Sequence, residues 1–172
     1  MQRVTTIDQL LATLPQQGRV TWIGVRPARG EAPIPVDAAE ARPGGGLTGD
    51  RFKGSAASKR QVTLIQAEHL AAVGSLLGRS AIDPGLTRRN IVVTGINLYA
   101  LRQARFQVGG VLLEGTGICA PCANMEAALG PGGFNAMRGH GGITARVLEA
   151  GVVRVGDAVR LVAAAGLGAE EH

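Results

Sequence analysis

Short β-prone runs that end at glycine turns are the sequence feature that most constrains the fold of this chain. The clearest example is the segment 105–114, where Arg105-Phe-Gln-Val and Val111-Leu-Leu-Glu flank a Gly109-Gly110 pair. Glycine adopts the positive φ that a two-residue turn requires, so two β-prone runs joined in this way predict a hairpin.

Five further runs have the alternating or continuous apolar pattern of strands. They cover residues 19–25, 61–65, 90–94, 143–148 and 152–162, and a turn at Gly156-Asp157 divides the last of them. Residues 26–49 contain four prolines and five glycines, which predicts a long surface loop. Many short strands and few helices predict a mostly β fold, a β-barrel with a few packed α-helices.

Three short helices are predicted beside these strands. Thr6 and Gln9 have the spacing of a capping box, which predicts a helix over 7–14. Apolar residues recur at helical spacing over 70–77, and residues 125–129 form a third, shorter candidate.

The chain has 172 residues, the length of one ordinary domain. No second domain boundary is visible, so we expect a single domain over 1–172 with its core at about 20–162. No apolar run reaches the length of a membrane span, and the N-terminus lacks the pattern of a signal peptide. We therefore expect no membrane span, a cytoplasmic location and reduced thiols.

The charge of the chain favours an anionic ligand. There are 18 basic and 13 acidic residues, and only Lys53 and Lys59 among the basic ones are not arginine. Arginine binds phosphate and carboxylate in bidentate geometry, although a G+C-rich genome also enriches arginine. Aromatic residues make up only 3% of the chain, which disfavours a nucleic-acid-binding barrel that stacks bases on aromatic rings.

The only two cysteines lie together in Cys119-Ala-Pro-Cys122, just before the predicted helix over 125–129. The N-terminal end of a helix favours an anion, so a thiol there is inclined to ionise. A thiolate can act as a nucleophile, carry a persulfide or bind a soft metal. A small buried cysteine is the structural alternative.

Two other uses of the cysteine pair are weaker. Zinc needs about four ligands, and the only histidines, His69, His140 and His172, are scattered along the chain. A thioredoxin-like dithiol is expected in a βαβ setting, whereas this pair follows a hairpin. A CxxC dithiol redox protein therefore stays as an alternative, ahead of a zinc site.

Basic side chains occur in three segments that are candidates for an anion site: Lys59-Arg60, Arg88-Arg89-Asn90 and Arg138. If Asn90 begins a strand, Arg88 and Arg89 point to opposite faces, so only one faces a given ligand, and we favour Arg89. Asp50 and Arg51 are either a structural turn or part of the site.

The glycine-rich segment 135–142 is the other candidate for binding an anion. Gly141 and Gly142 allow close approach of the backbone, whose N–H groups can surround an anion. Arg138 adds positive charge, and His140 could pass a proton near neutral pH. Glycine runs more often only form turns, so this signal is weak by itself.

The order of these segments resembles that of a known family. The ordered motifs are Gly49-Asp50-Arg51, Lys59 to Ile65, Arg88 to Ile91, the cysteine segment, Gly139 to Ile143 and Gly156-Asp157. Together they resemble a MOSC domain, the module at the C-terminus of molybdenum-cofactor sulfurases, over about 20–162. Stand-alone bacterial MOSC proteins and the mitochondrial amidoxime-reducing component are similar.

The resemblance implies a MOSC-type β-barrel that binds a molybdenum cofactor (molybdopterin). It implies that Cys122 ligates molybdenum or carries sulfur, with the basic residues and glycines above holding the cofactor. An enzyme of this kind is expected to reduce N-hydroxylated compounds with electrons from a partner, whereas a non-catalytic carrier would take sulfur from a donor protein. The chain has no room for the pyridoxal-phosphate domain of the sulfurases.

Overall fold

A computed structural model describes residues 5–165 of the chain, which form eleven strands and four α-helices. The strands are β1 Gly18–Val25, β2 Ile34–Pro35, β3 Ala38–Arg42, β4 Gly46–Leu47, β5 Val62–Gln66, β6 Ile91–Thr94, β7 Arg105–Val108, β8 Val111–Ile118, β9 Ile143–Glu149, β10 Gly151–Arg154 and β11 Ala158–Ala163. The helices are α1 Ile7–Leu11, α2 Ala67–Leu76, α3 Ala123–Leu129 and α4 Gly133–Met137.

Seven of the strands close into a barrel. Their order is β1-β6-β5-β9-β8-β7-β11, and β11 pairs with β1 to complete the ring. All neighbouring pairs are antiparallel except β5 and β6, which are parallel and are connected through α2. The predicted mostly β barrel with packed helices is confirmed, and so is the Gly109-Gly110 hairpin, in which Val108 pairs with Val111.

Alternation along the strands gives the barrel two apolar surfaces. Leu64, Phe106 and Leu113 belong to the cluster of buried residues inside the ring. The neighbour Ile65 belongs to a second buried cluster, where it packs with Met125 of α3 and other apolar side chains of α2 and α4. The helices therefore cover one outer face of the wall, and the cysteine segment approaches the barrel there because it leads directly into α3.

The interpretation of residues 26–49 as one long loop is wrong. This segment contains β2, β3 and β4, and β3 pairs with β10 and with β4 in a separate three-stranded sheet. β3 reads Ala-Ala-Glu-Ala-Arg, which lacks the β-branched residues that mark a strand in a sequence. Its pairing with Val152 and Val153 of β10 supplies the stabilisation of the strand that the local sequence does not provide.

The helices differ from the predictions mainly in their ends. The capping box of α1 is present, since Thr6 and Gln9 exchange both hydrogen bonds, but α1 ends at Leu11 instead of residue 14. The helix over 70–77 is confirmed as α2. None of the helices within residues 5–165 is long and apolar enough to cross a membrane.

Helix α4 was not predicted, because its residues were assigned to the glycine-rich loop 135–142. It begins at Gly133, where the carboxylate of Glu126 accepts hydrogen bonds from the N–H groups of Gly132 and Phe134, both at 2.8 Å. Capping by a side chain of the preceding helix compensates for a segment with poor intrinsic helix propensity.

The barrel interior should dominate stability. Phe106 is 0% exposed in the interior, whereas Phe134 is 38% exposed on the surface. We expect Phe106→Ala to lower the free energy of unfolding by about 3–5 kcal/mol, from lost burial and a residual cavity. The same change at Phe134 should cost about 1 kcal/mol or less. Urea unfolding of both variants tests this, and equal losses would contradict the assignment of the core.

Candidate functional site

A basic pocket lies against the outer wall of the barrel. It is a cavity of about 390 Å³ whose lining includes five cationic side chains and a single acidic one. The cations are Arg26, Arg51, Lys53, Arg60 and Arg88, the acid is Asp50, and the remaining lining residues are Phe52, Gln61, Thr63 and Asn90. This excess of positive charge suits a ligand with phosphate or other anionic groups.

Thr63 and Asn90 form the polar floor of this pocket. The side-chain oxygen of Asn90 accepts hydrogen bonds from the N–H (3.1 Å) and the hydroxyl (3.2 Å) of Thr63. Its amide nitrogen donates to the carbonyl of Gly24 at 3.3 Å. These bonds connect the start of β6 to β5 and β1, so Asn90 fixes the floor and retains one N–H for a ligand.

The cations of the pocket lie close enough to repel one another. Burial lowers the pKa of Arg26 below its ordinary value, and the charge of Arg88 lowers it further. Asp50 acts in the opposite direction on that pKa. The Asp50 carboxylate also accepts a hydrogen bond from the backbone N–H of Arg26 at 2.8 Å, so Asp50 stabilises a turn and belongs to the pocket as well.

Arg88 and Arg89 point in different directions, although both precede β6, which begins at Ile91, so a turn separates them and not strand alternation. Arg88 lines the pocket, and it is the only non-glycine residue between 5 and 165 with a positive φ, 61°. Such conformations cost free energy and are common at functional sites. Arg89 is 3% exposed and donates to the carbonyls of Gly141 (2.9 Å), Thr87 (2.7 Å) and Cys119 (3.2 Å).

Cys122 is exposed and stands immediately before α3, as its N-cap residue. Partial burial opposes ionisation, but the N–H groups of Asn124 and Met125 favour the thiolate. The Cys122 side chain itself makes no capping hydrogen bond, and the N–H of Met125 donates to the Cys122 carbonyl at 2.9 Å. Together with the charge of Arg88, the N–H groups of Asn124 and Met125 lower the pKa of the Cys122 thiol below its ordinary value. Arg88 thus connects the basic pocket to the thiol.

The second cysteine has a different environment. Cys119 is 1% exposed, its N–H donates to the carbonyl of Gly142 at 2.8 Å, and its own carbonyl accepts from Arg89. Both cysteines are free thiols. The described residues contain no group of three or more His, Cys, Asp or Glu side chains placed to hold a metal ion.

The glycine-rich segment does not line the basic pocket. The carbonyl of Gly141 accepts a hydrogen bond from Arg89, and Gly142 borders a separate small cavity of about 60 Å³, which His69 also lines.

His140 packs edge-on against His69, with ring centroids 5.2 Å apart, and the Nδ1 of His140 lies 3.0 Å from the carbonyl of Ala136. Burial and the neighbouring His140 lower the pKa of His69, which is half-buried. Arg138 is exposed and donates to the side chain of Asn135.

The structure therefore brings together part of the predicted site. Arg60, Arg88 and Asn90 line the pocket, whereas Lys59 is exposed outside its lining. Sequence reasoning missed Arg26 and Lys53. Lys53 lies two positions after Arg51, and this proximity to the Gly49-Asp50-Arg51 motif was the signal that the sequence offered. Arg26 directly follows β1 and offered no such signal.

Comparisons with known proteins agree with this architecture. A family model described as MOSC domain matches residues 49–160. The YuaD protein from Bacillus subtilis is 18% identical with a TM-score of 0.74, over 86% of this chain and 97% of that chain. YiiM from Geobacillus stearothermophilus is 20% identical with a TM-score of 0.69, over 84% of this chain and 75% of that chain. These structures share the fold, and a comparison with curated proteins finds no match.

Thiol reactivity should depend on Arg88. Removing its charge in Arg88→Gln destabilises the Cys122 thiolate, so the pKa rises and less thiolate is present at neutral pH. We expect alkylation by iodoacetamide at neutral pH to slow by up to about fivefold, the effect of a screened charge pair. Lys53→Gln removes a different cation of the same pocket and is the control for a general loss of positive charge. Identical pH profiles for Arg88→Gln and wild type would contradict the coupling.

Two glycines in one loop separate conformational cost from steric clash. Gly139 and Gly142 have φ of +80° and +82°, but only at Gly142 would a Cβ collide, 1.8 Å from the carbonyl oxygen of Leu64. We expect Gly139→Ala to cost about 1–2 kcal/mol of stability for its left-handed backbone. Gly142→Ala should cost about 1–3 kcal/mol more. Urea unfolding measures both, and equal costs would show that the loop relaxes freely.

Proposed function

Since the chain belongs to the MOSC domain family, we propose that it binds a molybdopterin-type cofactor and that Cys122 ligates its molybdenum or carries sulfur for it. The observation that carries this proposal is the electrostatic link between an exposed thiol and an anion pocket. Cys122 is an exposed thiol of lowered pKa, and Arg88, which contributes to that shift, lines a pocket of five cations.

The residues present fit such a cofactor. Its phosphate needs a cationic pocket, and the arginines offer the bidentate donors that phosphate favours. Molybdenum with sulfur ligands favours a soft donor, and a thiolate is the softest ligand a protein supplies. A cofactor that brings its own sulfur ligands needs few from the protein, so a single cysteine is a sufficient donor set.

We assign the phosphate and the pterin edges to the lining of the basic pocket. Arg60 and Arg88 would hold them together with Arg26, Arg51 and Lys53, and Asn90 would offer its remaining N–H. Arg89 would act from beneath, by holding the Cys119 carbonyl. Lys59, Arg138, Gly141 and Gly142 remain candidate cofactor contacts from the sequence pattern, and their positions outside the pocket make them weaker ones.

For an enzyme of this type, we propose the reduction of N-hydroxylated compounds. The N–O bond is cleaved, two electrons and two protons are consumed, and the oxygen leaves as water. The bound molybdenum would supply two-electron redox chemistry. The electrons would come from a partner protein, as the family resemblance implies.

The predicted proton-transfer role of His140 stays a proposal. Its Nδ1 faces the carbonyl of Ala136, and because a carbonyl only accepts, Nδ1 carries the proton in the neutral ring. Nε2 is then the nitrogen left to exchange a proton with a substrate or with water. His140 is not part of the basic pocket, so any such transfer would pass through water.

The molybdenum and pterin content of purified protein tests the proposal. Wild type, Cys122→Ala and Cys119→Ala are produced in a host that makes the cofactor. We expect stoichiometric molybdenum in wild type and at least about a tenfold loss in Cys122→Ala. Cys119→Ala is the control, because Cys119 is buried and makes its hydrogen bonds through its own backbone N–H and carbonyl groups. The substitution leaves both groups in place.

The outcomes separate the alternatives. Pterin retained in all three proteins, with no turnover using any electron donor, would favour a non-catalytic carrier. Wild-type protein that contains neither pterin nor molybdenum, and takes up neither from a donor, would contradict the proposal. Equal loss of a thiol-dependent redox activity in both cysteine variants without molybdenum would instead favour a dithiol redox protein.

A further inference from the structure

We infer that Gln61 is a positioning residue, whose buried amide holds the basic loop (residues 51–60) in the shape that presents its cations to an anion. The inference rests on the proposed function, since it concerns the same pocket. Three of the five pocket cations, Arg51, Lys53 and Arg60, belong to this loop.

The Gln61 side chain makes its contacts at the middle of the basic loop. It is 2% exposed, and its amide nitrogen donates to the carbonyls of Ser55 (3.2 Å), Ala56 (3.1 Å) and Ser58 (2.9 Å). An amide nitrogen has two hydrogens, so at least two of the three carbonyls share one. Three carbonyl oxygens that converge on one point require a donor there, because without it they repel one another.

The other end of the same amide is fixed to rigid structure. Its oxygen accepts from the N–H of Gly44 at 3.0 Å and from the N–H of Val147 in β9 at 3.2 Å. The backbone N–H of Gln61 donates to Ala145 of β9, also at 3.0 Å. One side chain therefore connects the loop to the barrel and to the β3–β4 turn.

Within residues 5–165, the loop has few other hydrogen bonds to the rest of the protein. At its start, the N–H of Arg51 donates to the carbonyl of Arg26 at 2.6 Å, and at its end the hydroxyl of Thr116 donates to the carbonyl of Lys59. Between these points only the Gln61 amide reaches the loop from outside, while Ser55 and Ser58 bond to each other. Among the hydrogen bonds of the described residues that reach the middle of the loop from outside it, all come from this one side chain.

The charge of the loop explains why such a contact is needed. Three cations of the pocket lining come from this loop, and Lys53 and Arg60 are exposed. Burial lowers the pKa of Arg26, and the charges of Arg88, Arg51 and Arg60 lower it further, as expected for cations that repel one another. Repulsion favours an open loop in the absence of an anion. A preformed loop avoids part of the ordering cost on binding, which raises affinity.

The test compares two buried glutamines that flank the same strand. Gln61→Met removes both the oxygen and the nitrogen of the side-chain amide, and it keeps the approximate length and volume of the side chain. Gln66→Met is the matched control, because Gln66 is also buried, 7% exposed, and holds a different segment by accepting from the N–H of Leu98 at 2.8 Å. Inorganic pyrophosphate is the probe, titrated calorimetrically into metal-free protein at constant ionic strength.

We expect Gln61→Met to bind pyrophosphate at least about tenfold more weakly than wild type, and Gln66→Met to bind within about twofold of it. Equal affinities for wild type and Gln61→Met would overturn the inference. Equal weakening by both substitutions would also overturn it, because a general loss of stability would then account for the effect.

Amide hydrogen exchange provides a measurement that needs no ligand. The N–H groups of Ser55 and Ser58 should exchange faster in Gln61→Met than in wild type, with Gln66→Met unchanged there, and unchanged exchange in Gln61→Met would overturn the inference. If wild type bound no pyrophosphate while the exchange result held, the positioning role would stand and the anion-binding part of the proposed function would fail.

Discussion

The buried guanidinium of Arg89 is the interaction on which the arrangement of the site depends. It is 3% exposed, has no carboxylate partner in the described part of the chain and bonds to the carbonyls of Thr87, Cys119 and Gly141. Burial lowers its pKa, with the cysteine thiols acting in the opposite direction. A buried cation without partners would cost several kcal/mol, so those three segments must stay where their carbonyls compensate it.

The barrel interior and the pocket differ in polarity and charge. The barrel interior is apolar and closed, with residues such as Leu64 and Val147 that are at most 1% exposed. The pocket outside its wall contains five cations and one carboxylate, an arrangement that destabilises the folded chain through repulsion. Uncompensated charge on a stable scaffold is typical of a binding site, because an anion that binds there relieves the repulsion.

The sequence was most informative where local patterns determine structure. Alternation in 105–114 and the Gly109-Gly110 pair were sufficient for the hairpin, and the helix over 70–77 follows from its apolar spacing. β3 and α4 were missed because each depends on a distant partner, β10 for the first and Glu126 for the second. The expected strand alternation does not apply to Arg88 and Arg89, because both precede β6, and only tertiary contacts decide which one is buried. The preference for Arg89 as the ligand-facing residue is therefore reversed in the proposal.

Two buried polar side chains each hold a different part of the site in place. Arg89 orders the segment that carries the thiol, and Gln61 orders the loop that carries most of the cations. They share no hydrogen-bond partner among the described residues, so their effects should be largely independent. Arg88 is where the two halves meet, since it lines the pocket and acts on the thiol. Arg88 also has a positive φ, a conformation that costs free energy and is common at functional sites.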